Sequence, residues 1–261
     1  MPSLKERFAF LKWLDPFTYS DLLLEEINPN KSEAINWAVY LVTAFVSALL
    51  LYTVLGLIFQ SPSPMVIVVS GSMEPAFHRG DIMALSGWNI QDLKAETVEL
   101  PFAIGGTNIG EYATTICAIK GQENFFECRS LAEEMSAGIF TREQVEAKAI
   151  YFPAIDKEIP ITKNGDVVVY FSESHGIPVI HRAVAKIQAE DGLFILTKGD
   201  SVLNSFVDQD TTLSPSAVKV NELHGKAVLM IPWVGYVKLI LLDDIPCYLT
   251  SGLTGNTCQF P

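Results

Sequence analysis

The chain has 261 residues, a formal net charge of −12 and four cysteines. That length suffices for one membrane anchor and one or two domains with a substantial core. The acidic balance excludes a nucleic-acid surface, because neutralising phosphates requires clustered Lys and Arg.

Residues 1–33 read as a cytoplasmic segment. Leu4, Phe8, Leu11, Trp13 and Leu14 lie close to one helical stripe, with Lys5, Glu6, Arg7 and Lys12 mostly off it. The pattern predicts a short amphipathic helix, on the inner membrane surface or docked on a partner. The stretch Asp21–Asn30 ends in turn chemistry at Asn28-Pro29-Asn30. Residues 34–59 then carry no charge over 26 positions. About 20 apolar residues cross a bilayer, so this is a predicted span. It starts too late and runs too long for the roughly 7–15-residue core of a cleavable signal. Lys5, Arg7, Lys12 and Lys31 precede it, whereas the next base is Arg79. The positive-inside rule puts the N-terminus in the cytoplasm and the bulk of the chain outside.

Gln60–Pro64 is a short extended linker stiffened by two prolines. Val66, Ile67, Val68 and Val69 are four consecutive β-branched residues, the signature of a buried strand. The run ends in a small, hydroxyl-rich turn, Ser70-Gly71-Ser72-Met73-Glu74-Pro75. Glu74–Leu85 reads as a turn and a second strand, with Gly80-Asp81 as hairpin chemistry. Residues 88–160 read as an inserted α+β subdomain, with a helix expected from Thr141 to Lys148 behind a capping start. Ten residues separate Cys117 from Cys128, and ten separate Cys247 from Cys258. An even count outside the cell permits two local disulfides, although spacing alone also fits free buried thiols. Neither spacing is that of a zinc pair.

Regular β structure returns at the hairpin dipeptide Asn164-Gly165, followed by strands at Asp166–Phe171, Pro178–Ala185 and Leu193–Lys198 and a Gly199-Asp200 turn. The last apolar stretch, Ala227–Leu242, holds Pro232 and Lys238 and makes a poor span. A terminal strand plus a short membrane-facing segment is expected there, hence a single-pass protein. The resulting organisation is a mainly β domain at 60–87 and 161–242, the insert at 88–160, the span at 34–59 and a tail at 243–261.

Serine needs a base before it can attack a carbonyl. Ser72 stands between Gly71 and Met73, where small neighbours admit a substrate backbone. The G-x-S-x-G elbow of α/β-hydrolases is absent. The histidines are His78, His175, His181 and His224. His181 lies inside an apolar strand, and its reference pKa of about 6.5 suits a base near neutrality. Taken singly, a strand histidine and a Ser-Gly-Ser turn are weak signals.

Their order in the chain is stronger. Ser70-Gly-Ser-Met-Glu-Pro75, Arg79-Gly80-Asp81, Gly165–Tyr170, Val179-Ile-His-Arg182, Thr197-Lys-Gly-Asp200 and the closing Gly225–Tyr236 follow an upstream span. This series closely resembles the type I signal peptidases, over roughly residues 35–87 and 164–237. The common bacterial form has lysine where His181 stands, so the histidine is similar to the archaeal and endoplasmic-reticulum branch. The resemblance implies a signal-peptidase-like β-rich fold, Ser72 as nucleophile and His181 as general base. It also implies an orienting acid after Gly199-Asp200. That loop is longer here, so Asp200, Asp208 and Asp210 compete. Asp208 is favoured as the His181 partner, with Asp200 and Asp210 as supporting residues.

Ser70 and the Ser72 N–H are the implied oxyanion donors. Shallow pockets walled by Met65, Ile67 and Val68 would admit small P1 and P3 side chains from a peptide paired to the strand edge. No cofactor and no metal is implied. The expected partners are signal peptides of secretory preproteins and the lipid bilayer, with the translocation machinery as a further candidate. The expected place is the cell membrane, or the endoplasmic reticulum facing its lumen in a eukaryote. Length and insert favour an archaeal single-subunit enzyme over a complex subunit. Two rival readings are an inactive anchored β-rich assembly protein and a related protease with a narrower precursor set.

Overall fold

The computed structural model describes residues 12, 14–122, 124–136 and 138–247. The expected amphipathic helix at residues 4–14 lies largely outside them, as does Cys258. The chain divides into two compact units, residues 1–58 and 59–261.

In the first unit, helix α1 (Pro16–Ile27) begins where Asp15 caps the N–H of Phe17 and Pro16 opens the first turn. It ends at Asn28, whose side chain binds the Ser32 carbonyl and Asn36 and so fixes the turn into the next helix. Helix α2 (Glu33–Phe59) has 27 residues, none of them buried. At 1.5 Å per residue it is roughly 40 Å long, more than the hydrocarbon core of a bilayer requires. Among the described residues it is the one helix long and apolar enough to cross a membrane.

The second unit is β-rich. Its eight-stranded sheet runs β1 (Met65–Ile67), β2 (Ile82–Ser86), β12 (Gly225–Ile231), β8 (Val167–Ser172), β9 (Ile177–Ala189), β10 (Gly192–Lys198) and β11 (Val218–Lys219), with β3 (Glu96–Glu99) parallel to β9. A four-stranded sheet is ordered β5 (Phe125–Glu127), β4 (Thr114–Ile119), β6 (Val145–Phe152) and β7 (Lys157–Pro160). The main core lies between the two sheets: Val98, Val184, Ile187 and Phe194 of the large sheet meet Ile150, Phe152 and Ile159 of the small one. The other face of the large sheet has a core of its own, with Val168, Tyr170, Ala183 and Ile195 buried together, so β8 and β10 are near-continuous buried runs.

The small sheet carries helix α3 (Cys128–Ser136), and Cys117 and Cys128 form a disulfide with sulfurs 2.02 Å apart. A loop this short adds about 2–3 kcal/mol by restricting the unfolded chain. Cys117, Cys128 and Leu131 are buried with Val145 and Ala147, so the bridge sits inside a small core of its own.

Several expectations are corrected. The β-branched run at 66–69 is not buried throughout: β1 ends at Ile67 and pairs with β2 alone, and Val69 is 44% exposed. No helix spans Thr141–Lys148. The capping box at Thr141 closes a single 3-10 turn, Arg142–Gln144, and Val145 then begins β6. The alternation of Val145, Ala147 and Ala149 inward decides for strand. Asn164-Gly165 is not a hairpin, since the strands on either side belong to different sheets. Residues 88–160 are not one separate body: β3 pairs with β9, and the small sheet begins at Thr114. The tail boundary at 243 falls inside a helical stretch, which runs over Tyr236–Lys238 and continues as a π-helix over Leu239–Asp244. β12 is the expected terminal strand. Its second half and the segment after it expose Leu229, Met230, Trp233, Val237, Leu241 and Leu242.

Candidate active site

Ser72 follows β1 on a loop closed at its base by the chain itself. The Val68 N–H donates to the Asp81 carbonyl, and the Gly80 N–H donates to the Val68 carbonyl. Gly80 has φ +92° and lies against the Tyr236 ring, a conformation and a clearance that only glycine supplies. Met73 is fully buried and pins the residue after the serine. From the opposite side, Asn204 Nδ2 and the Ser201 N–H each bind the Ser72 carbonyl at 3.0 Å. That approach requires Gly199: a Cβ there would collide with the Asn204 side chain and come within 2.6 Å of the Ser72 carbonyl. The Ser72 N–H donates to no described group. The Ser70 hydroxyl donates to Ser72 Oγ at 3.2 Å, leaving the Ser72 proton available for a base.

His181 sits in β9 opposite Val168 and is buried. Its Nδ1 lies 2.6 Å from Asp208 Oδ2. The same oxygen accepts from Thr197 Oγ1 at 2.6 Å and from the Tyr170 hydroxyl at 2.9 Å. Burial and the nearby Asp208 push the Tyr170 phenol far up, so it stays a donor throughout the usual pH range. With Nδ1–H given to the carboxylate, the lone pair belongs to Nε2. Gln209 Oε1 accepts from the Thr197 N–H, tying the Asp208–Asp210 turn to β10.

The other two aspartates go elsewhere. Asp200 holds Arg182, with Nε at 2.9 Å from one oxygen and Nη2 at 2.5 Å from the other, while Arg182 Nη1 donates to the Gly165 carbonyl. This fork locks the Gly199-Asp200 turn to β9 and to the loop before β8. Asp210 accepts from Thr115 Oγ1 of the small sheet. Lys198 is turned onto the Gly199 carbonyl at 3.0 Å. Burial pulls its pKa down against the attraction of Glu146, Asp208 and Asp200. Among the described residues no group of three or more His, Cys, Asp or Glu is placed to hold a metal ion.

Burial raises the Asp210 carboxyl above its ordinary pKa, opposed by the Thr115 hydroxyl and Arg129. A carboxyl raised in the folded state favours folding while protonated, and that advantage is lost as pH climbs through the folded value. Asp210→Asn removes the ionised form altogether. The variant is therefore expected to melt above the parent protein at pH 7, with the gap closing below about pH 4. Thermal unfolding in detergent at several pH values checks this, and a gap that widens towards acid would contradict it.

Ser72 and His181 line one cavity of about 500 Å³. Val66–Val69 form one of its walls and Ile177–Ile180 the other. Both walls have an unpaired edge: β1 pairs only with β2, and the first residues of β9 pair only with β8. Ile67 and Val68 are in the lining, whereas Met65 is not. A second cavity of about 660 Å³ shares His181, Asn204 and Leu213 with the first, and also takes in Asp208 and Asp210.

The sequence reading missed Asn204 and Ser201, which hold the Ser72 carbonyl, and gave Tyr170 and Thr197 no role. The last two stood in quoted motif blocks, so the signal was present, but only the fold turns both onto Asp208.

No family model matches the chain. Among curated proteins, the signal peptidase complex catalytic subunit of Sclerotinia sclerotiorum is 30% identical over 221 residues, covering 83% of this chain and 84% of that protein. The chain belongs to the signal peptidase family, on the branch of the SEC11 catalytic subunits. The SEC11 protein of Colletotrichum graminicola is 29% identical over 87% of this chain and 90% of its own length. That of Scheffersomyces stipitis is 28% identical, covering 82% and 86%. The mainly β fold expected from the resemblance is the one observed. All three relatives are named as subunits of a complex, the alternative that length and insert weigh against.

Proposed function

We propose that the chain is a membrane-anchored serine endopeptidase that removes signal peptides from preproteins after small residues, with Ser72 as nucleophile, His181 as general base and Asp208 as the residue that orients it. The observation that carries this reading is that His181, whose Nδ1 lies 2.6 Å from Asp208, lines the same cavity as Ser72.

The chemistry follows from elementary roles. Ser72 Oγ attacks the scissile carbonyl while His181 Nε2 takes its proton, and Asp208 steadies the resulting imidazolium. The Ser72 N–H, together with the Ser70 hydroxyl, receives the negative charge on the carbonyl oxygen. The imidazolium passes its proton to the leaving amine. A water, deprotonated by the same ring, then hydrolyses the acyl-enzyme and restores the serine. The supply of catalytic groups lies within the chain itself, and no cofactor enters any step.

An extended peptide between β1 and the start of β9 would satisfy both unpaired edges by strand addition, its alternate side chains facing Ile67, Val68 and their neighbours. The anchor is α2, with the N-terminus on the cytoplasmic side by the distribution of bases. The exposed apolar residues of β12 and the helical stretch after it suit contact with lipid. Membership in a multi-subunit complex rests on the names of the relatives.

Incubation of a model preprotein with the full chain in detergent is expected to release a fragment whose N-terminus follows a small residue. Replacing that residue by Phe should stop cleavage at the site. N-terminal sequencing of the product checks this, and equal cleavage after Phe would contradict it.

A further inference from the structure

The second cavity takes in His181 and Asp208, yet the mechanism above gives the rest of its lining no role. It meets the first cavity at His181, Asn204 and Leu213, and Ser72 lines the first but not the second. In acyl transfer the base must hand its proton to the leaving nitrogen, so the chain beyond the scissile bond passes the imidazole. A peptide entering along β1 and crossing Ser72 can then continue over His181 into the 660 Å³ cavity.

The far wall of that exit comes from the disulfide-closed lobe. Ala132 and Met135 of α3, Phe140 and Arg142 face Leu203, Ser205 and Phe206 of the active-site loop. The wall is tied to that loop: Ser205 Oγ donates to the Arg142 carbonyl at 2.6 Å, and the Ala147 N–H donates to the Ser205 carbonyl at 2.8 Å. Phe206 packs against the core beneath the disulfide. Asp208 and Asp210 line the cavity too, but Asp208 is held by His181, Thr197 and Tyr170, and Asp210 by Thr115. Arg142 is exposed, and no described side chain hydrogen-bonds its guanidinium.

We propose that this cavity is the leaving-side subsite: it binds the first few residues of the mature protein, and Arg142 favours an acidic residue among them. The inference rests on the assignment of Ser72 and His181 as the reacting pair. It gives the disulfide-closed lobe a role in choosing substrates.

The test uses the full chain in detergent and preproteins identical through the scissile bond, with Asp, Ala or Lys at the second and third mature positions. The parent protein is expected to cleave the Asp substrate roughly 3- to 5-fold better than the Lys substrate in kcat/KM, the range of an exposed ion pair. Arg142→Glu should reverse that order, and Arg142→Lys should keep it. A photo-crosslinker at the third mature residue should label residues 128–142 or 203–206. Equal rates across the series with unchanged Arg142→Glu behaviour, or labelling elsewhere, would overturn the subsite while leaving the catalytic assignment standing. Failure to cleave any member, or cleavage by Ser72→Ala, would remove the catalytic assignment and the subsite with it.

Discussion

Ser72→Ala and His181→Ala are each expected to lower preprotein processing by about 10⁴-fold or more, with the fold intact. The size follows from what each change removes. Without the hydroxyl there is no atom to carry the acyl group, and water must attack unaided. Without the imidazole the hydroxyl keeps its proton, and the leaving amine departs unprotonated. Ser72 is half-exposed, and its carbonyl is held by Asn204 and Ser201, contacts that do not depend on its side chain; only the Ser70 hydroxyl bond to Oγ is lost. Alanine at this position should therefore cost little stability. His181 is buried against Asp208, so its loss leaves that carboxylate with two donors instead of three. Circular dichroism and melting temperature separate that effect from the loss of turnover.

The second large effect distinguishes the acids. Asp208→Asn is expected to reduce kcat by about 10³- to 10⁴-fold, because an amide in place of the carboxylate no longer fixes the tautomer with the lone pair on Nε2. Tyr170 and Thr197 both donate to the oxygen that would change, so the amide also meets two misplaced donors. Asp210→Asn should stay within about 3-fold of the parent rate, since its partner is Thr115 and not the imidazole. Initial rates on one preprotein measure both. The assignment fails if the two variants exchange places.

The choice among these acids shows what the sequence could and could not reveal. Three aspartates within eleven residues, Asp200, Asp208 and Asp210, were legible as candidates. Which of them reaches His181 depends on a three-residue 3-10 turn that aims Asp208 and Asp210 in different directions. Nothing in composition or spacing encodes that aim. The strands β8, β9 and β10 were legible because short apolar, β-branched runs stand between turn residues. The run at Val66–Val69 was legible as strand but its burial was overread, since β-branching reports fit to a pleated surface and not the number of neighbours.

Thr141 misled for a related reason. Its capping box is real, but a cap states where a turn begins and not how far a helix continues. The inward alternation of Val145, Ala147 and Ala149 carried the contrary signal from four residues later. Helix α1 had a readable start at Asp15-Pro16, a cap followed by proline in the first turn, which the hydrophobic pattern alone did not bring out. Pairings across long separations, such as β3 with β9 or Asn204 with Ser72, leave no local trace at either end.

The central claim is that Ser72 and His181 act as one unit on the scissile bond. Single-turnover processing of one preprotein by the parent protein, Ser72→Ala, His181→Ala and the double variant tests it most directly. The account predicts that the double variant is no slower than either single one, because removing either partner already disables the pair. Losses that multiply in the double variant, or a Ser72→Ala protein that still processes at a tenth of the parent rate, would contradict it.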